Sequence, residues 1–214
     1  MSRAPLFTLC ASLLILAAGC SNDHPSAVHA ADYYPLAVDD TWTYRMSPGT
    51  KVYSATITSS RMIGNAKTYA VAVEDTYSFL AEQEGGVYQY GQGDPDNPNK
   101  AVVFDPPQLV YKLPFQIGDE WETPALSDAG EKNGETVYVN GQVDGEETVT
   151  VPAGVFPHCF RVSIDDPRDA PADRTDLWFA PNVGIVKTET YIAVGAGKPK
   201  TTTTELVKYH LVPK

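Results

Sequence analysis

From Thr41 onward, apolar and polar residues alternate with a period of two. Trp42, Tyr44 and Met46 fall on one face, opposite Thr41, Thr43 and Arg45. Tyr53, Ala55 and Ile57 alternate with Ser54, Thr56 and Thr58, and Tyr69, Val71 and Val73 alternate with Thr68, Ala70 and Ala72. Half-buried strands read this way, because successive side chains point to opposite faces of a sheet and β-branched and aromatic residues suit its pleat. No window of ten or more residues carries the 3.6-residue period of a helix. Glu84-Gly85-Gly86 predicts a hairpin between Tyr77–Gln83 and Val87–Tyr90, and Asp144-Gly145 predicts another between Thr136–Val143 and Glu147–Val151. Phe156–Ile164 is expected to pair with Asp176–Phe179 across a loop at 165–174. A final hairpin joins Ile185–Val194 to Thr201–Val212 around Gly195–Pro199. Gly91–Asn99 and Ala125–Asn133 read as loops by composition, and Ala101–Phe104 and Gln108–Lys112 as short strands around Pro106-Pro107. The expected fold is all-β: one domain, residues 33–214, of about ten to twelve antiparallel strands with little or no helix.

One phrase occurs twice. Pro35-Leu36-Ala37-Val38-Asp39-Asp40-Thr41-Trp42 and Pro114-Phe115-Gln116-Ile117-Gly118-Asp119-Glu120-Trp121 share Pro, apolar, any, aliphatic, any, Asp, any, Trp at an offset of 79 residues. Proline and the Asp-containing turn set a bend, after which the Trp opens a strand and plugs the edge of the core. Two copies are too few for a solenoid. They read as a recurring strand-entry device and a remnant of duplication.

The first residues have a different character. Arg3 precedes an apolar run from Leu6 to Ala18, too short to span a bilayer, which takes about 20 apolar residues. The run ends Leu16-Ala17-Ala18-Gly19-Cys20, which resembles the bacterial lipobox. Residues 1–19 then form a lipoprotein signal, Cys20 becomes the acylated residue, and residues 20–32 tether lipid to domain. Each buried acyl methylene contributes about 0.8 kcal/mol to such an anchor. Ser21, where an Asp would favour inner-membrane retention, resembles an outer-membrane address facing the periplasm or the cell surface. Removing residues 1–19 takes one charged side chain, Arg3, so the net charge of −11 becomes −12. That acidity disfavours nucleic acid as a partner. With Cys10 removed and Cys20 acylated, Cys159 is the single remaining thiol, so no internal disulfide is expected.

Candidate chemistry is sparse, and no cofactor or metal is expected. His24 and His29 lie in the tether without the further ligands a selective metal site needs. Asp94-Pro95-Asp96-Asn97-Pro98-Asn99 resembles a calcium loop, but it lacks the required Gly and the closing Glu, so a solvated loop is expected. Asp165, Asp166, Asp169, Asp173 and Asp176, interleaved with Arg168 and Arg174, read as a solvated hairpin tip. Cys159 reads as a buried structural thiol, since His158 beside it in a strand points to the opposite face. No nucleophile elbow, phosphate loop, HExxH or CxxC is present. Twelve Tyr, three Trp and seven Phe suit cross-strand packing, and also a concave apolar surface.

Three phrases carry a family resemblance: Tyr34-Pro35-Leu36-x-Val38-x-x-x-Trp42-x-Tyr44, Val151-Pro152-Ala153-Gly154-x-Phe156-x-x-Cys159-x-x-Val162, and Trp178-x-Ala180-Pro181-x-Val183-Gly184-x-Val186-Lys187. In order and spacing they resemble the bacterial lipoproteins described as TapB-like. This chain has Asp39-Asp40-Thr41 where the common form has a Gly before the Trp. The resemblance implies an antiparallel sheet curled into a partly open barrel, or half-barrel, and brings no catalytic residue. The expected function is a membrane-anchored, non-catalytic lipoprotein that binds an apolar ligand or scaffolds an envelope protein. The alternative is a hydrolase-type enzyme with a site assembled from distant residues such as Asp176, His158 and His210.

Overall fold

The computed structural model describes residues 33–94, 97–125, 131–132, 135–136, 138–166, 174–192 and 200–213. Strands β1 (Thr41–Ser47), β2 (Val52–Ile63), β3 (Ala66–Val73), β4 (Thr76–Gln83), β5 (Gly86–Asp94) and β6 (Asn97–Lys112) form a first antiparallel meander. After β7 (Glu120–Pro124), β8 (Glu131–Lys132) and β9 (Glu135–Thr136) make a separate two-stranded sheet. β10 (Tyr138–Val151), β11 (Gly154–Asp165), β12 (Arg174–Ala180), β13 (Gly184–Ile192) and β14 (Lys200–His210) complete a second meander begun by β7. The twelve main strands lie in the order β6-β5-β4-β3-β2-β1-β14-β13-β12-β11-β10-β7, a nearly closed, barrel-like sheet with essentially no helix. The all-β expectation and its strand count hold.

The repeated phrase is repeated in three dimensions. Asp40 N donates to Ala37 O at 3.1 Å, and Asp119 N donates to Gln116 O at 2.9 Å. Asp39 N reaches Ile57 O at 2.8 Å, and Gly118 N reaches Val143 O at 2.9 Å. The return bonds match as well, from Ile57 N to Asp40 O at 3.0 Å and from Val143 N to Asp119 O at 2.9 Å. Asp39 (φ 77°) and Gly118 (φ 87°) share the left-handed position, which glycine adopts freely and Asp tolerates. The departure from Gly in the first phrase therefore leaves the turn intact. Each half is a six-stranded meander, and the first strand of each abuts the last strand of the other.

The two junctions differ. β1 and β14 are joined by a ladder from Thr41↔His210 to Ser47↔Thr203. No ladder joins β6 to β7 among the described residues. That seam is held by side chains: Thr123 Oγ1 donates to Leu109 O at 2.5 Å, and Lys112 Nζ meets Asp119 Oδ1 at 2.9 Å.

Several expectations are corrected. Asp144-Gly145 is no turn: β10 runs straight through it, Val143 facing Val162 and Gly145 facing Arg161, with Asp144 as the extra residue of a bulge. Gly145 is not among the residues with positive φ, and the Asp144 carboxylate is drawn to Arg174 Nη2 at 2.8 Å and lies 3.4 Å from Arg161 Nε. Pro106-Pro107 does not break β6, an edge strand with an irregularity between its pairings Gly91↔Val103 and Gln89↔Gln108. Of the predicted loop Gly91–Asn99, Gly91–Asp94 lies in β5 and Asn97–Asn99 in β6. Its glycines serve close strand approach: a Cβ on Gly91 would meet Val102 O at 2.4 Å. Within the predicted 125–133 loop, Glu131–Lys132 is strand β8.

Burial follows the period of two, with one surprise. β12 sends Leu177 and Phe179 to a cluster with Phe115, Phe160 and Val162, and Trp178 and Ala180 to another with Val149, Val151 and Cys159. The face of β3 expected to be polar is covered too: Thr68 donates to Arg61 O at 2.9 Å, and Ala70 packs with Phe79, Ala81 and Tyr90. The Arg61 guanidinium lies 3.7 Å from the centre of the Phe79 ring, capping this outer cluster.

Candidate functional site

Where the first half meets β13 and β14, the interior holds a cavity of about 190 Å³, larger than the roughly 150 Å³ apolar cavity that suffices for a benzene ring. Tyr34-Pro35-Leu36, just ahead of the turn at Asp39, line it. Trp42 and Tyr44 of β1 form one wall, and Tyr53, Ala55 and Ile57 of β2 with Val71 and Val73 of β3 form the next. Ile185 and Thr188 of β13 and Thr204 of β14 close it. On β1, β2 and β3 these are alternate positions, so the inward face supplies the lining, while Ile185 and Thr188 flank the irregularity in the β12–β13 ladder.

Two hydrogen bonds set the aromatic wall. Trp42 Nε1 donates to Val183 O at 2.7 Å, and the Tyr44 hydroxyl donates to Ile185 O at 2.9 Å. Tyr53 lies 5.6 Å from Tyr44, ring centre to ring centre, and its hydroxyl hydrogen-bonds the Thr204 side chain. Burial pushes the Tyr34 and Tyr44 phenols well above the ordinary range, with Tyr111 adding to the rise at both. Burial pushes Tyr111 itself up to about 12.

Aromatic rings divide this cavity from a second one. Tyr34 sits 5.4 Å from Tyr111, whose ring meets Phe179 edge-on at 4.9 Å. Beyond Tyr111 lies a more open space of about 650 Å³ between Val110, Ile164, Leu177 and Ile192, with Arg174 and Asp166 among its lining.

The second half shows what a filled version looks like. There Phe115 stands where the first half has Leu36, and it packs against Tyr33, Phe160 and Phe179 at 5.0 to 5.6 Å. Trp121, the counterpart of Trp42, lies against Gly141, where a Cβ would meet the indole at 2.2 Å. In the first half Trp42 faces Ala55. Around the two copies of the phrase, related scaffolding is thus filled by rings at Phe115 and Trp121 and leaves space at Leu36 and Trp42.

The residues singled out from the sequence are dispersed. Cys159 is fully buried, and its Sγ donates to Phe156 O at 3.3 Å. Burial pushes its thiol up to about 11, so it is no activated nucleophile. His158, adjacent in sequence, is exposed, with its Nδ1 2.5 Å from Glu146 Oε1. Asp176 is not solvated as the hairpin-tip reading expected. It sits in β12 at 6% exposure, bound to Arg174 Nε at 2.5 Å. Ser163 faces Asp176, five residues along β11 from His158, so roughly 16 Å separates those two backbones. His210 pairs with Thr41 at the end of β14. No group of three His, Cys, Asp or Glu side chains able to hold a metal occurs among the described residues. Cys20, the signal, His24 and His29, and also Pro95, Asp96, Arg168, Asp169 and Asp173, lie outside the described residues. The cavity was not legible as a site, since its lining is written in the same residue types as any β core.

Residues 115–201 match the DUF3108-like family model. No curated protein matches the chain. A Bacteroides fragilis protein described as exported, with a YmcC-like fold, superposes with a TM-score of 0.43 at 16% identity, over 84% of this chain and 99% of its own. A Parabacteroides distasonis protein described as a lipoprotein gives a TM-score of 0.38 at 12% identity, over 83% of this chain and 98% of its own.

Proposed function

We propose that this is a lipid-anchored protein of the bacterial envelope whose barrel binds a small apolar ligand without transforming it. The observation that carries the binding reading is the cavity of about 190 Å³ walled by Trp42, Tyr44, Tyr53, Ile57 and Val71. A concave, mostly apolar, preformed space with a few hydroxyls has the usual makeup of a small-molecule site. The lipobox at Leu16–Cys20 and the TapB-like phrases support the anchored, envelope part of the reading, with Ser21 favouring the outer membrane.

The test uses residues 21–214, which keep every described residue of the barrel. A hydrophobic fluorophore such as N-phenylnaphthylamine should show saturable enhancement with this protein. Ala55→Phe, which fills the cavity from β2, should abolish that enhancement while the far-ultraviolet spectrum stays that of a β protein. Equal enhancement by both proteins would place the dye on the outer surface and defeat the reading.

A further inference from the structure

The charges around the cavity narrow the class of ligand. None of the fourteen residues lining the inner cavity is charged, and the polar side chains among them end in hydroxyls or, for Trp42, an indole N–H already bonded to Val183. Tyr44 spends its proton on Ile185 O, and Tyr53 is engaged with Thr204. The hydroxyls of Tyr34 and Tyr111, at the boundary of the two cavities, have no hydrogen-bond partner among the described residues. They can donate to, or accept from, a neutral head group.

The nearby cations are committed. Arg174 is the one cation lining either cavity among the described residues, and it holds Asp144 at 2.8 Å and Asp176 at 2.5 Å. Lys51, which acts on Tyr53 at the β2 end, holds Glu74 at 2.6 Å. An anionic head would have to displace one of these carboxylates from charge-assisted bonds, in a chain of net charge −11. Without such an exchange it would be buried unpaired, which is costly for an ionised group.

We infer, on the footing of the cavity reading above, that the ligand is an uncharged amphiphile: a short chain or ring carrying a hydroxyl or carbonyl. The barrel rejects the same skeleton when it carries a carboxylate or phosphate. The phenols support this selectivity as permanent neutral donors, since burial holds them protonated across the physiological range.

Three probes of one chain length decide it: octan-1-ol, methyl octanoate and octanoate, each titrated at pH 8 into residues 21–214. Binding is read from the methyl resonances of Ala55, Ile57, Val71 and Ile185. The two neutral probes should shift these methyls saturably, and octanoate should bind at least about tenfold more weakly. Ala55→Phe should remove the response to all three. Octanoate binding as tightly as the alcohol would overturn the inference and leave the cavity reading standing. If no probe shifts those methyls, both fall.

Discussion

Trp42 Nε1 and the Val183 carbonyl meet at 2.7 Å across 141 residues of chain. Trp42 belongs to β1, which pairs with β2 and β14, so the indole reaches beyond both neighbours to the turn between β12 and β13. Two residues on, Tyr44 repeats the move to Ile185 O. The side chains that wall the cavity thus also satisfy carbonyls at the β12–β13 turn and the start of β13, and cavity wall and closure share the same atoms.

Trp42→Phe keeps an aromatic ring but leaves the Val183 carbonyl, itself largely buried, without its donor. The expected loss is about 1 to 3 kcal/mol, against about 1 kcal/mol for Tyr44→Phe, which deletes one hydroxyl. Urea unfolding of the two variants measures this directly. A Trp42→Phe midpoint equal to that of the parent would show that the bond adds nothing to closure.

Glycine substitutions separate bulge from turn. Gly145 has ordinary φ and open space around its Cβ direction, so Gly145→Ala should be neutral, or more stable by about 0.4 to 1 kcal/mol. Gly118 sits at φ 87°, and Gly118→Ala should cost about 1 to 2 kcal/mol. Gly141→Ala pushes a methyl into the Trp121 indole, and overpacking of that kind typically costs about 1 to 3 kcal/mol. Thermal unfolding of the three variants should rank them so. If Gly145→Ala is as damaging as Gly118→Ala, residues 144–145 form a turn after all.

That contrast also shows how far a sequence of this kind can be read. Alternation at Trp42/Tyr44 and Tyr53/Ala55/Ile57 marks inward faces well, because a period of two is a local property. The phrase repeated at offset 79 is likewise local, and its two copies form matching turns at the entry to β1 and β7. Asp144-Gly145 misleads because the same dipeptide serves a type I′ turn and a bulge, and only its partners on β11 and β12 choose between them. The cavity depends on what faces Ala55 across the barrel, which no alternation pattern encodes.

Cys159 should be inert in the folded protein. In residues 21–214 it is the single thiol, and with burial raising it from about 9 to about 11, few thiolates exist at pH 8. Ellman's reagent should react only at the rate of unfolding, and fast stoichiometric labelling would contradict the burial. The same shift has a sign for stability. The folded state holds its proton more tightly than the unfolded chain, so stability is full below about pH 9 and falls as pH rises toward about 11. The buried tyrosines, raised for the same reason, extend the fall above pH 10. Urea midpoints measured between pH 8 and 11 should decline steadily, and a flat profile would refute the linkage.

The β6–β7 seam is the weak side of the barrel. Its counterpart, β1–β14, is joined by a backbone ladder, whereas the seam has the single buried side-chain bond from Thr123 to Leu109 and the part-exposed Lys112–Asp119 pair, of a kind that contributes at most about 1 kcal/mol. Amides of β6 and β7 directed at the seam should therefore exchange with deuterium through local opening, well ahead of those in the β1–β14 ladder. Thr123→Val, which keeps the shape and removes the donor, should accelerate exchange at the seam while Thr41–Ser47 stay protected. Because the interior can then exchange its contents without global unfolding, the same substitution should raise the association and dissociation rates of a bound apolar probe together, leaving affinity nearly unchanged. Equal protection of the two junctions, or an affinity change without a rate change, would show that ligand passes elsewhere.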